Sequence, residues 1–191
     1  MLHTIRGRVT EKFDDSLVIE WNGLGFLVHT NTRTLSSLPP EGQETKLYCF
    51  LYVREERIEL YGFHGEEELK MFEMLNSVGG VGPKTALGVL DIDRVPNIMA
   101  AILEKRADVL THASGIGKKT AERIILELQN KVKLPAGHET KGMALNQEVE
   151  EVLAGLGYAR HDIRRVLSDM KGEEPIEERL RSALRKLGHA K

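Results

Sequence analysis

Gly80-Val81-Gly82-Pro83-Lys84-Thr85-Ala86 and Gly115-Ile116-Gly117-Lys118-Lys119-Thr120-Ala121 are one seven-residue phrase written twice, 35 residues apart and identical at five positions. Repetition at one register marks an internal repeat. Each copy follows a short helical run, ending in Leu75-Asn76-Ser77-Val78 or Leu110-Thr111-His112-Ala113-Ser114, and each opens another helix. The glycines therefore sit in a helix-to-helix turn, and the unit reads as a helix-hairpin-helix. Glycine at the first and third positions permits left-handed backbone and close approach of a ligand. Val81 or Ile116 between them is expected to tuck inward and anchor the turn. Amides at the start of the second helix then face an anion along the positive end of the helix dipole. Lys84 in one copy, and Lys118 and Lys119 in the other, add full charge. These are groups that hold a phosphate, and none of them reaches a base edge. The expected ligand is the sugar-phosphate backbone of DNA, gripped without reading sequence, with Gly80, Val81, Gly82, Lys84, Thr85, Gly115, Ile116, Gly117, Lys118, Lys119, Thr120 and Arg123 as contact residues.

Other glycine motifs fail on spacing. A Walker phosphate loop requires glycine directly before Lys-Ser/Thr and another glycine five positions earlier. Here Pro83 precedes Lys84, and Gly117-Lys118 runs into Lys119. A dinucleotide fingerprint needs a preceding strand, which neither copy has. A single copy could be a tight interhelical turn and nothing more; two copies with lysines in register favour the phosphate reading.

Working outward, charge follows the repeat. The chain has 191 residues and a net charge of −2, unpromising for a DNA binder until it is divided. Residues 1–79 carry 8 basic and 13 acidic side chains, residues 80–135 carry 9 and 6, and residues 136–191 carry 10 and 10. Only the segment holding the repeat has the sign that phosphates attract. Aromatics make up 5% of the chain, few for a protein that stacks unpaired bases, so duplex backbone is the better ligand.

Upstream, residues 1–63 read as five strands, Leu2 to Val9, Leu17 to Glu20, Leu24 to Thr30, Thr45 to Val53 and Arg57 to Phe63. Asn22-Gly23 is a tight-hairpin signal, and Pro39-Pro40 with Gly42 marks a longer loop. A five-stranded OB-like barrel is expected. From Glu66 the period changes, with Leu69, Phe72, Met74, Leu75 and Val78 at helical spacing. Further helices are expected at Pro83 to Leu90, Pro96 to Leu103, Ala107 to His112 and Lys118 to Lys131, giving a compact helical domain over 64–134. Residues 135–146 lack apolar periodicity and read as a flexible linker. A small three-helix bundle is expected over 147–191, from Gln147 to Leu156, Arg160 to Met170 and Pro175 to Leu187, with Gly157 and Gly172 as stops.

Several chemistries are disfavoured. No apolar run approaches the roughly 20 residues of a membrane span, and Met1-Leu2-His3-Thr4 begins a strand pattern in place of a signal peptide, so a cytoplasmic location is expected. The lone Cys49, flanked by Tyr48, Phe50 and Leu51, reads as a buried small hydrophobe. The seven histidines are dispersed without ligand spacing, so no metal and no cofactor are expected.

The order of barrel, tandem hairpins, linker and small helical bundle resembles the RuvA family, the Holliday-junction-recognition subunits of the bacterial branch-migration complex. Ile5-Arg6-Gly7, Leu60-Tyr61-Gly62-Phe63 and Leu153-Ala154-Gly155-Leu156-Gly157-Tyr158 also match that family, though less specifically than the hairpins. The resemblance covers the whole chain. It implies a homotetramer, assembled through the barrel and sometimes paired face to face as an octamer, that holds a four-way junction open and flat. It also implies recruitment of a hexameric RuvB-type ATPase through the C-terminal bundle, a bearing on a junction-resolving nuclease, and roles in recombination and repair. The family's acidic pin, at the tetramer centre, corresponds to Glu55 and Glu56. By themselves those residues, in Arg54-Glu55-Glu56-Arg57, read only as a solvated hairpin tip. In the bundle, Leu167, Ile176, Leu180, Leu184 and Leu187 recur at helical spacing, which is ordinarily core. A tethered unit this small suits docking, and Leu167, Ile176, Leu180 and Leu184 are the candidates for partner contact.

The competing class is an enzyme, because tandem hairpins also occur in glycosylases and nucleases. A glycosylase would need a catalytic Asp or Lys shortly after the hairpin, beside a base-sized pocket. Asp91 and Asp93 close the first repeat without an acid or metal cluster nearby, and the chain reads as a non-catalytic subunit, any ATP-dependent helicase activity belonging to the complex with the motor.

Overall fold

A computed structural model of the chain describes residues 2–134, 149–159, 162–163, 166–167, 170 and 176–188. They fall into two compact units, Met1–Val132 and Lys133–Lys191.

In the first unit five strands, β1 (Thr4–Lys12), β2 (Ser16–Trp21), β3 (Leu24–His29), β4 (Glu44–Arg54) and β5 (Arg57–Phe63), close into a barrel in the order β1-β2-β3-β5-β4. All pairings are antiparallel except the β3–β5 seam. Period-two alternation sends Ile5, Val9, Leu17, Ile19, Val28, Leu47, Cys49 and Leu60 into one apolar interior. The expected strands are all present, with shifted ends. β1 starts at Thr4 and continues past Val9 to Lys12, because a register irregularity between Val9 and Glu11 lets it keep pairing with β2. Asn22 (φ 49°) and Gly23 (φ 79°) supply the positive φ values of the β2–β3 turn, with Trp21 opposite Leu24.

One element was not expected from sequence. Thr32–Ser37 forms a short helix, α1, whose N-cap Asn31 accepts a 2.7 Å hydrogen bond from the Thr34 amide through its side-chain oxygen.

The helical part comprises α2 (Glu66–Asn76), α3 (Pro83–Leu90), α4 (Val95–Leu103), α5 (Ala107–Leu110) and α6 (Lys118–Leu128). α5 stops at Leu110, short of His112, since the amides of His112 and Ala113 bond three residues back to Val109 and Leu110 and tighten the chain into the second hairpin. α6 stops at Leu128, not Lys131. On α2 the fully buried methionine is Met71, while Met74 is only half-buried.

Barrel and helices share a core. Alternate residues of β5 serve two interiors, Leu60 facing the barrel while Tyr61 and Phe63 join the helical cluster. Phe72 of α2 lies against both, with ring centroids 5.1 Å from Tyr61 and 4.9 Å from Phe63. Two hydrogen bonds to Asp91, at the end of α3, come from the Thr32 amide (2.8 Å) and hydroxyl (2.6 Å) at the start of α1. The strands and the hairpins are thereby held in one body.

In the second unit residues 149–155 are helical. They end at Gly157 (φ 91°), where the Tyr158 amide reaches back to the Leu153 carbonyl at 3.2 Å. Residues 162–163 and 166–167 are helical, as is Ile176–Gly188. Val149, Leu153, Ile163, Leu167, Ala183 and Leu187 form its core. The expected linker 135–146, the helix starts at Gln147, Arg160 and Pro175, and the stop at Gly172 lie outside the described residues. Among the described residues no helix is long and apolar enough to cross a membrane.

Candidate nucleic-acid interface

The two glycine phrases fold into nearly identical backbone. Gly80 and Gly115 have φ of 85° and 81°, the left-handed region that the turn requires and that side chains resist. Gly82 and Gly117 are the N-caps of α3 and α6, with φ, ψ of −90°, 173° and −87°, 170°. Within each turn the Val81 amide bonds the Val78 carbonyl (3.0 Å) and the Ile116 amide bonds the Ala113 carbonyl (3.2 Å). The first α-helical bonds also match, Ala86 to Gly82 at 2.9 Å and Ala121 to Gly117 at 3.0 Å. Val81 and Ile116 are buried in the helical core and anchor the turns from inside.

Neither N-cap carries a side chain, so the first-turn amides are left without an internal acceptor. In the first copy these belong to Lys84 and Thr85, since Pro83 has no N–H; in the second they belong to Lys118, Lys119 and Thr120. Lys84, Lys118 and Lys119 are exposed and make no ion pair among the described residues, while Thr85 and Thr120 are half-buried. Unpaired amides together with exposed lysine give each turn the chemistry that can hold an anion.

Arg123 lies against the first turn. Its guanidinium, on the exposed side of α6, donates a 2.7 Å hydrogen bond to the Gly79 carbonyl in the turn of the other copy. Sequence reasoning grouped it with the phosphate contacts and had no signal for this cross-link, which depends on how the copies pack.

Asp91 and Asp93 are occupied structurally. Asp91 holds Thr32, and Asp93 accepts from the Arg94 amide at 2.6 Å. Among the described residues no three His, Cys, Asp or Glu side chains group as metal ligands would. The Cys49 thiol is buried in the barrel, which pushes its pKa up to about 11 despite an opposing backbone hydrogen bond from Ile5, so it is a poor nucleophile.

Glu55 and Glu56 form the exposed two-residue tip between β4 and β5, closed by the Arg54–Arg57 pair. Just behind them the cross-strand pair Val53 and Ile58 is also exposed. In the second unit Leu167 is core, its side chain turned away from solvent, and Ile176, Leu180 and Leu184 are partly buried against that core. Among the described residues of the second unit the large apolar side chains that stand exposed are Val152, within the helical residues 149–155, and Leu156, in the turn that follows, which sequence periodicity did not single out.

Comparison with known proteins agrees with this architecture from end to end. Residues 1–62 match the RuvA N terminal domain, residues 72–130 the SAM-like helix-hairpin-helix tandem, and residues 144–188 the RuvA C-terminal domain. A protein of Caldanaerobacter subterraneus subsp. tengcongensis named "Holliday junction branch migration complex subunit RuvA" is 41% identical over 187 residues, covering 98% of this chain and 99% of its own. The chain belongs to the RuvA family. Family members of the same name from Acetivibrio thermocellus (40% identical over 199 residues, 98% of both chains) and Chloroflexus aggregans (38% over 195 residues, all of both chains) match along the same length. The family match thus spans the barrel, both hairpins and the C-terminal unit together.

Proposed function

We propose that this chain recognises four-way DNA junctions through their backbone and recruits an ATP-driven RuvB-type motor for branch migration, in the cytoplasm, without itself catalysing a reaction. The observation that carries this is the duplicated turn: two turns of matching backbone angles in one compact unit, each with first-turn amides that have no helical acceptor. Each also has lysine, Lys84 in one and Lys118 and Lys119 in the other, that makes no ion pair among the described residues. Gly80, Val81, Gly82, Lys84 and Thr85 make one phosphate site, and Gly115, Ile116, Gly117, Lys118, Lys119 and Thr120 the other. The names of the relatives, each a subunit of a Holliday junction branch migration complex, support the same reading.

The acidic tip supplies selectivity. Carboxylates repel phosphates at short range, so Glu55 and Glu56 on a DNA-facing surface act by exclusion. With four copies around a tetramer axis, the acids keep strands off the centre and open the crossover while the lysines hold the arms. Attraction outside and repulsion inside favour a four-way branch over a plain duplex. The C-terminal unit offers the motor the exposed apolar side chains Val152 and Leu156 and the partly buried Ile176, Leu180 and Leu184; a junction-resolving nuclease is a further partner of the assembled complex.

The test is binding of the full chain to a synthetic four-way junction and to linear duplex of the same sequence, with native mass read in parallel. Tight junction binding as a tetramer or octamer is expected. Glu55→Gln with Glu56→Gln should leave junction affinity at least as high and raise duplex affinity. Truncation at Pro135 should keep junction binding and abolish stimulation by the motor. Strand cleavage or base release by the pure chain with magnesium would overturn the non-catalytic reading, and loss of junction affinity in the Gln variant would overturn the role of the acids.

A further inference from the structure

The 35-residue repeat makes Gly88 of α3 and Arg123 of α6 equivalent positions, and likewise Gly79 and Ser114 of the two turns. The equivalence holds in space. Each helix position faces the matching carbonyl of the opposite copy. A Cβ on Gly88 would stand 3.5 Å from the Ser114 carbonyl oxygen, so α3 lies directly against the second turn. On the other side the space is filled by Arg123, whose guanidinium nitrogen meets the Gly79 carbonyl at 2.7 Å. The same nitrogen would be 3.2 Å from a Cβ on Gly80, the residue that gives the first turn its left-handed bend. The two copies are therefore joined by close backbone approach on one side and by a long side chain on the other.

We propose that Arg123 is the positioning residue that fixes the spacing between the two phosphate-binding turns, acting as a strut and not as a phosphate ligand. The inference rests on the phosphate reading given above. Two cradles grip one backbone only if their separation matches the separation of its phosphates. The first turn has the fewer donors and is the one that Arg123 holds. A side-chain hydrogen bond into that turn restrains Gly79 and Gly80, whose backbone leads into the Val81 anchor and the Lys84 and Thr85 amides. Divergence of the repeat at this pair of positions, glycine against arginine, follows from unequal gaps to be closed.

The experiment uses the full chain with Arg123→Met, which keeps the apolar stem, and Arg123→Lys, which keeps the charge but loses the guanidinium. In free protein, amide exchange at Gly80, Val81 and Gly82 should quicken roughly three- to tenfold in both variants, the loss of one net hydrogen bond. Junction affinity should fall severalfold in both, with an unchanged slope against salt. Unaltered exchange in both variants would overturn the strut. So would wild-type affinity in Arg123→Lys together with a slope reduced by about 0.9 in Arg123→Met, the signature of one lost phosphate contact. If Lys118→Ala with Lys119→Ala leaves the wild-type slope unchanged, the phosphate reading itself fails, and the exchange measurement still decides whether Arg123 restrains the first turn.

Discussion

The two hairpins differ little in backbone and considerably in what they carry. The first opens with Pro83, which lacks an amide, and offers Lys84 alone as a cation; the second opens with Lys118 and Lys119 and keeps all its first-turn amides. α3 behind the first is largely apolar and packed on two sides, whereas α6 behind the second is amphipathic, with Ala121, Ile124, Ile125 and Leu128 buried and Lys119, Glu122, Arg123 and Leu126 exposed. The difference separates two properties that a motif merges. Glycine at positive φ and a buried Val or Ile make the turn; on the proposed reading, proline, lysine and amide content set how strongly it holds an anion. One copy is specialised toward packing and the other toward charge.

The largest effect should come from breaking the turns themselves. Gly80→Ala and Gly115→Ala each force a side chain into left-handed backbone, at a cost of about 1–2 kcal/mol read by urea unfolding. The two should be destabilised alike, since φ is nearly the same. Beyond that, Gly80→Ala also crowds the Arg123 guanidinium, which can swing away, so only this variant should quicken exchange in the opposite contact.

Removing charge should separate the copies. Lys118→Ala with Lys119→Ala should lower the slope of log affinity against log salt by about 1.8, and Lys84→Ala by about 0.9, uniformly across junction sequences. Equal slopes for the two variants would mean that the copies do not differ as their composition indicates. The converse substitution sharpens the same point. Pro83→Lys turns the first phrase into Gly-Val-Gly-Lys-Lys-Thr-Ala, adding an amide and a charge, and should tighten junction binding while steepening the slope by about 0.9.

The smallest effect belongs to the barrel. Burial raises the Cys49 thiol from its ordinary 9.0 to about 11, so the folded state holds the proton more tightly and its stabilisation is lost as pH rises through that window. Thiol labelling should therefore be slow near neutral pH and rise only toward pH 11. The profile should be unchanged in every hairpin variant if their effects are local, and a shift would show that the barrel feels the turns.

Much of this was legible before any coordinates, and the reasons are local. Both turns were readable because glycine spacing and the following Lys-Thr-Ala encode backbone geometry directly, and the strands because alternation is a short-range signal. α1 was not, since Asn31-Thr32-Arg33-Thr34 has a capping residue but no apolar period across six residues, and polar Thr-Ser runs look like loops. The shared core escaped for another reason. Tyr61 and Phe63 read as ordinary strand residues, and only the placement of Phe72 shows that one face of β5 belongs to the helices. Leu167, offered as a partner contact, is core, and Val152 and Leu156 are exposed in its stead; helical spacing reports that a face is apolar, not whether a neighbour covers it. Arg123 was identified as a cation but not for what it touches.

The central claim, that paired cradles hold phosphates without reading bases, is tested most directly by titrating the full chain against four-way junctions whose arm sequences are permuted, at several salt concentrations. Affinity that varies little among the permutations and falls steeply and in parallel with salt is the predicted result. Affinity that follows arm sequence, or that does not respond to salt, would contradict it.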